Sequence, residues 1–313
     1  EMSASLVGSE MCIRDRDCPF PIRYTSLTAF NARYRQGRIT ATGSLVYTNV
    51  TEHVKIGDAP ADFQRLAPSF TVSLQPWQEQ LLFLRLMYKS TFRMPTFNDL
   101  YYYRLGNRSL RPEKANEYNM GITWSRSFSS FLNYLSVTVD GYYNDVTDKI
   151  VAFPTTYAWK MANYGKVHVT GMDATLAAAA SLGKNMVLVV SGGYTWQKAI
   201  DLTDATSKSY KDQLPYTPKH SGNVSAVLEM PWVNVGYSIV GVSERYSMSQ
   251  NIPENRIDGY MEHTASLSRN FSFRHCKLRL QAEIINMTDT QYDVIKYYPM
   301  PGRSWRLTGT IEF

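Results

Sequence analysis

The chain has 313 residues, a formal charge of +6 and 44% hydrophobic residues, yet no apolar run approaches the ~18 residues that a membrane-crossing helix needs. The basic residues are scattered rather than grouped, which argues against a nucleic-acid partner. Cys12, Cys18 and Cys276 have spacings that fit neither a disulfide framework nor a metal site, so no metal or cofactor is expected.

The first residues look foreign. Ser5–Arg16 resembles the translation of a sequencing-adaptor read. It has neither the basic start nor the long apolar core of a signal peptide. Residues 1–16 are therefore set apart as non-native sequence. Residues 17–313 are expected to form one unit, the C-terminal part of a longer chain.

Strand signals then recur to the end. Thr25–Tyr34 and Arg38–Asn49 flank a tight turn at Arg35-Gln36-Gly37. Ser69–Gln75 and Glu79–Ser90 follow, joined at Pro76-Trp77; Leu82, Leu84, Leu86 and Tyr88 share one face of the second. Asn116–Ser127 and Asn133–Asp145 form the next pair, then Lys166–Ala180 and Asn185–Gln197, then Lys219–Glu229 and Val233–Arg245. Asp258–Phe271, His275–Met287 and Arg303–Phe313 complete thirteen candidate strands. The connections near 36, 77, 130, 182, 231 and 273 are short. Those at 50–68, 91–115, 146–165, 198–218, 246–257 and 288–302 are long, so short and long alternate. An up-and-down transmembrane barrel has short periplasmic turns and longer extracellular loops. A soluble sandwich has no reason to keep such alternation, since loops beyond ~12–15 residues are uncommon in compact domains.

The last strand is clearest. Trp305, Leu307, Gly309, Ile311 and Phe313 lie on one face, and Ser304, Arg306, Thr308, Thr310 and Glu312 on the other. A greasy face toward lipid, a polar face toward the lumen and an aromatic last residue make Trp305, Leu307, Ile311 and Phe313 the candidate signal for barrel assembly. The fold class is thus all-β: an antiparallel up-and-down transmembrane barrel. An odd strand count departs from the even numbers of single-chain bacterial barrels, so the barrel is expected to be partial. Arg303–Phe313 should pair with His275–Met287 and leave its other edge open.

The long connections carry a family resemblance. Phe92, Arg93, Pro95, Thr96, Asp99, Leu100 and Tyr101, followed by Gly106, Asn107, Leu110, Pro112 and Glu113, resemble the signature of TonB-dependent outer-membrane receptors. Asn163-Tyr164-Gly165 with Gly171-Met172-Asp173 resembles another motif of that family. Asn286, Tyr292 and Pro301-Gly302-Arg303 resemble its penultimate loop, with Met287-Thr288 in place of the usual pair. The resemblance runs from about residue 25 to the end, and its motifs occur in the family's order. It implies a barrel of about 22 strands, a plug domain outside this stretch, and uptake of a scarce large nutrient energised by the TonB complex. It also implies the outer membrane of a Gram-negative bacterium, with its lipid and its barrel-assembly machinery as partners.

Residues 92–112 and Tyr298–Arg303 look most like cobalamin-type receptors of Bacteroidota. Siderophore or haem receptors are the rivals within the class; a passive porin or structural outer-membrane barrel is the rival from another. A soluble β-rich binding module fits least. Nothing in the chain reads as catalysis. Its histidines are scattered, with no Ser/His/Asp or Cys/His arrangement. Most motif residues read as structural: Pro95, Pro112 and Pro301 shape loops, Gly106, Gly302, Asn107 and Asn286 are expected to permit turns with positive φ, and Arg93 and Glu113 are expected to pair. Arg85 and Arg279, on lumen faces, are expected to meet acidic residues or the plug. The candidate ligand contacts are the loop aromatics Tyr101, Tyr102, Tyr103, Tyr157, Trp159, Tyr297 and Tyr298, with Arg104, because rigid amphipathic rings grip large flat ligands at modest entropic cost.

Overall fold

The two faces of the wall are easiest to see in two adjacent rows of residues that run across the strands. One row reads Leu86, Met120, Gly141, Met172 and Trp196; the next reads Arg85, Gly121, Asp140, Asp173 and Thr195. Side chains alternate along a strand, so the first row is an apolar outer surface and the second a polar inner one. The computed structural model describes residues 20–77, 81–102, 105–129, 131–154, 159–183, 185–273 and 276–312.

The strands are β1 (Ile22–Gln36), β2 (Ile39–His53), β3 (Phe63–Leu74), β4 (Leu81–Arg93), β5 (Glu113–Ser127), β6 (Leu132–Pro154), β7 (Trp159–Gly183), β8 (Met186–Asp201), β9 (His220–Glu229), β10 (Asn234–Val242), β11 (Arg245–Tyr246), β12 (Arg256–Ile257), β13 (Tyr260–Ser272), β14 (Lys277–Ile285), β15 (Asp293–Ile295), β16 (Tyr298–Pro299) and β17 (Ser304–Glu312). One 13-stranded sheet runs β1 to β10 in order, then β13, β14 and β17, each strand antiparallel to its neighbour. The short ladders β11–β12 and β15–β16 lie within long connections. A short helix, α1 (Phe97–Tyr101), and a single 3-10 turn (Pro253–Asn255) were not expected from the sequence.

Every expected strand is present in the expected order. The closing strand pairs as expected, Leu307 opposite Ala282 and Trp305 opposite Ile284. Neither β17 nor β1 has a second strand neighbour among the described residues. Trp305 and Leu307 are 75% and 81% exposed, the condition of side chains meant for lipid. Phe313 and His275 lie outside the described residues.

Two expectations need correction. Residues 146–165 are not a long loop: β6 and β7 stay paired up to Pro154 opposite Trp159, a tall hairpin. Strict alternation of connection length therefore fails here, because the strands continue well past the wall and pack against another loop. Similarly, β3 begins at Phe63 and includes Pro68, inside the 50–68 stretch expected to be a connection. Arg85 does meet an acidic partner, Asp140 at 3.1 Å. Arg279 donates to the Gln281 side chain at 3.0 Å and has no ion pair among the described residues.

Buried apolar side chains gather at the loop end of the sheet. One cluster is Val146, Val167, Ala199 and Leu214; the other is Leu100, Leu110 and Ile150. Both lie where long connections fold back onto the strands.

Candidate functional site

The stretch between β4 and β5 is built by local capping and then clamped from two sides. Thr96 and Asp99 form a capping box: Asp99 N donates to the Thr96 hydroxyl at 3.1 Å, and Thr96 N donates to the Asp99 carboxylate at 2.8 Å. This starts α1 and buries Leu100. Asn107 N donates to Asp99 O at 2.7 Å and closes the turn. The positive φ expected at Gly106, Asn107, Gly302 and Asn286 is found at Asn286 alone; a Cβ on Gly106 would instead stand 2.7 Å from the Leu100 carbonyl, so only glycine fits this close approach.

On the β6–β7 side, Arg93 lies 3.4 Å from Glu113 and 3.7 Å from Asp99, and donates to Ile150 O at 3.0 Å. Glu113 accepts from Ile150 N at 3.0 Å, and Lys149 stands 3.6 Å away. Asn107 donates to Met161 O at 3.1 Å. Asn163 receives Arg111 N at 2.9 Å and donates to the carbonyls of Arg111 and Asp148 at 3.0 and 2.6 Å. On the β1–β2 side, Arg23 bonds Glu52 at 2.8 Å and Pro95 O at 2.8 Å. Tyr101 donates its hydroxyl to the other Glu52 oxygen at 2.6 Å. Burial first, and then the Glu52 carboxylate, hold the Tyr101 phenol above its usual range.

These contacts give the first motif a structural account. Arg93 and Glu113 pair as expected, and Tyr101 spends its hydroxyl on Glu52. The second motif works by close approach: a Cβ at Gly171 would fall 2.4 Å from the Tyr142 ring, which lies across the lumen side of β7. Asp173 accepts the Thr195 hydroxyl at 2.7 Å. In the third, Asn286 is buried with positive φ. Its amide donates to Thr290 O at 2.9 Å and Pro301 O at 3.3 Å. Asp289 accepts Arg303 N at 2.8 Å, and Gly302 packs against that carboxylate. Pro112 directly precedes β5, where a missing N–H costs the ladder nothing.

The loop aromatics do not converge as one group. Tyr102 is exposed beside the engaged Tyr101. Tyr297, 82% exposed, lies in the connection between β15 and β16, and the exposed Tyr298 begins β16. Tyr103, Arg104, Tyr157 and the Trp159 side chain lie outside the described residues.

The sequence reading missed a cavity on the lumen face. The connection between β8 and β9 folds inward, with Leu214 N donating to Ala199 O at 2.8 Å and the buried Gln213 side chain accepting from Ala199 N at 3.2 Å. Beneath it lies a cavity of about 420 Å³, lined by Arg93, Glu113, Glu117, Lys149, Gln197, Leu214 and Thr217 among others. The available signal was parity: Glu113, Ala115 and Glu117 stand on the same face as Gly121 and its neighbour Asp140. Such a mixed-charge, partly apolar recess is suited to binding, with a few polar groups fixing orientation.

A wall of long antiparallel strands with an apolar outer face, a polar inner face and long connections at one end defines an outer-membrane β-barrel. Residues 21–287 match the family model for the TonB dependent receptor-like beta-barrel, and the chain belongs to that family. Its members are receptors and transporters of the Gram-negative outer membrane, and that is where this protein sits.

Among similar proteins, the vitamin B12 transporter BtuB of Photobacterium profundum is 25% identical over 230 residues, 71% of this chain and 34% of that protein. BtuB of Vibrio vulnificus is 26% identical over 231 residues, 71% of this chain and 33% of that protein. The chain thus spans about a third of the length of these relatives. Among solved structures, the unliganded ferric citrate transporter FecA matches with a TM-score of 0.73 at 14% identity, covering 92% of this chain and 45% of that one. The copper transporter OprC matches with a TM-score of 0.69 at 15% identity, covering 93% and 47%. These structures establish the shared fold.

Proposed function

We propose that this chain is the C-terminal part of the barrel of a receptor that takes up a scarce, large nutrient, and that the nutrient is cobalamin. In this reading the plug is encoded upstream, and the inner-membrane TonB complex supplies the energy through it. The barrel-assembly machinery reads the closing strand. The observation that carries the cobalamin reading is sequence similarity to two vitamin B12 transporters across 71% of the chain. The iron and copper transporters share the fold at 14–15% identity, which does not bear on substrate.

The ligand would meet the exposed rings of Tyr102, Tyr297 and Tyr298 and the recess between Arg93, Glu117 and Leu214. Tyr103, Arg104, Tyr157 and Trp159 remain part of this proposal. The deciding experiment is growth of a strain lacking the full-length gene on limiting cobalamin and, in parallel, on limiting siderophore or haem iron. A defect confined to cobalamin supports the reading. A defect confined to an iron source replaces it with an iron receptor. Upstream coding sequence without a plug would instead indicate a passive porin.

A further inference from the structure

The outer face near the loop end carries a repeated pair. Every histidine among the described residues stands beside a tyrosine of the adjacent strand. Tyr24 and His53 have ring centroids 6.1 Å apart, Tyr143 and His168 5.4 Å, Tyr194 and His220 6.2 Å, and Tyr237 and His263 6.1 Å. The Tyr194 and Tyr237 hydroxyls lie 2.7 Å from the Nδ1 atoms of His220 and His263. The register is the same in all four pairs. The residues opposite the tyrosines are Thr51, Thr170, Gly222 and Ala265, and each histidine lies two positions further toward the loop end. His220 continues the apolar outer row through Trp196. Amphipathic rings collect where hydrocarbon gives way to headgroups, so these pairs mark that level around the wall.

Just at and beyond that level, the outer face of β5–β8 turns basic. Lys114 is opposite Thr147, and Thr147 is opposite Lys166. Lys198 is opposite Thr170, which is opposite Tyr143. Their neighbours Ala115, Val167 and Ala199 pack on the lumen side with Leu214, so the three lysines point outward, and all three are exposed. Lys114 and Lys166 are two strand spacings apart, about 10 Å, which two flexible lysine side chains can close. Among the described residues, Asp145 is an acidic group on the same face; its carboxylate lies 3.2 Å from His168 Nε2. Among the described residues no ion pair engages Lys114, Lys166 or Lys198.

We propose that Lys114 and Lys166, above the Tyr143–His168 pair, and Lys198, level with Tyr143, bind the phosphate groups of an anionic lipid in the outer leaflet. The extracellular side follows from the barrel architecture, in which long connections face outward. Charge and position both favour this occupant. Three ammonium groups, with no ion-pair partner among the described residues, sit at headgroup height on a lipid-facing wall. Lys–phosphate hydrogen bonds are charge-assisted and strong, and rings below them would lie against the first acyl carbons.

The test uses the full-length receptor purified in detergent. Retention of bisphosphorylated lipid A is compared with that of its dephosphorylated form by native mass spectrometry. The expected result is retention at least tenfold stronger for the phosphorylated lipid, lost in the triple variant Lys114→Gln, Lys166→Gln, Lys198→Gln. It should be kept in the corresponding triple arginine variant and in the control Lys208→Gln. Equal retention of both lipids, or an unaffected glutamine triple, overturns the proposal. Displacement by inorganic pyrophosphate at the same concentration as the lipid also overturns it, by making the site one for soluble anions. Assembly of each variant is checked by heat-modifiable gel mobility. If the triple fails to assemble, Lys166→Gln and Lys198→Gln are compared singly, and no loss of retention in either overturns the proposal.

Discussion

Arg93 and Glu113 stand 3.4 Å apart across the open ends of β4 and β5, and both reach the backbone of one residue: Arg93 donates to Ile150 O while Glu113 accepts from Ile150 N. The two side chains therefore satisfy a third strand's backbone as well as each other. Arg93 is partly exposed, so its Coulomb attraction is weak and the hydrogen bonds matter more.

Glu113→Ala removes an acceptor shared by Arg93, Ile150 and Lys149. The expected loss is about 1–3 kcal/mol of local stability. Hydrogen exchange on the full-length protein should show faster exchange in 94–112 and 147–166 together. Unchanged exchange in the second segment would refute the coupling between loop and hairpin.

Gly106→Ala places a methyl group against the Leu100 carbonyl at 2.7 Å. Backbone must shift, so α1 should lose protection while the wall strands keep theirs. Limited proteolysis reads this directly, through new cleavage between residues 97 and 111.

Leu307→Arg puts a charge on the lipid face of the closing strand. Toward the bilayer midplane such a charge costs about 2–4 kcal/mol. A lower folding midpoint into vesicles is expected, whereas Thr308→Arg, on the lumen face of the same strand, should assemble nearly normally.

Tyr101 and Tyr292 both have phenols raised above the ordinary value, chiefly by burial and then by hydrogen bonds to Glu52 and Glu262. A raised phenol contributes stability that is complete below the unfolded value of about 10. That stability is lost as pH climbs through the folded value. Tyr101→Phe should therefore remove one of the last steps in an absorbance titration of tyrosinate. Loop protection should fall less steeply above pH 10 in that variant than in the wild type.

Tyr297→Ala with Tyr298→Ala tests the ligand surface. If the rings contact cobalamin, binding to the full-length receptor should weaken about tenfold or more, as for large aromatic contacts, with assembly unchanged. Equal binding would remove them from the site.

The wall was legible because a half-lipid, half-lumen strand imposes a period of two. Leu82, Leu84 and Leu86 announce it with no knowledge of tertiary contacts. The connections were less legible, because their conformation depends on what they touch. Residues 147–154 remain a strand because Ile150 packs on Leu100 and Leu110, which come from a distant stretch. The Arg93–Glu113 pair was readable as a motif, but its shared hold on Ile150 was not. The inward fold of Leu214 left no periodic trace at all, and so the recess beneath it went unseen.

The clamp on the tall hairpin works mostly through main-chain atoms. Arg93, Asn107 and Asn163 take hold of carbonyls at Ile150, Met161 and Asp148. Carbonyls are present whatever side chain is attached. The outward-facing residues of that hairpin are thus free to drift between lineages without releasing the frame. An exposed hairpin held this way can change its side chains while its scaffold stays fixed.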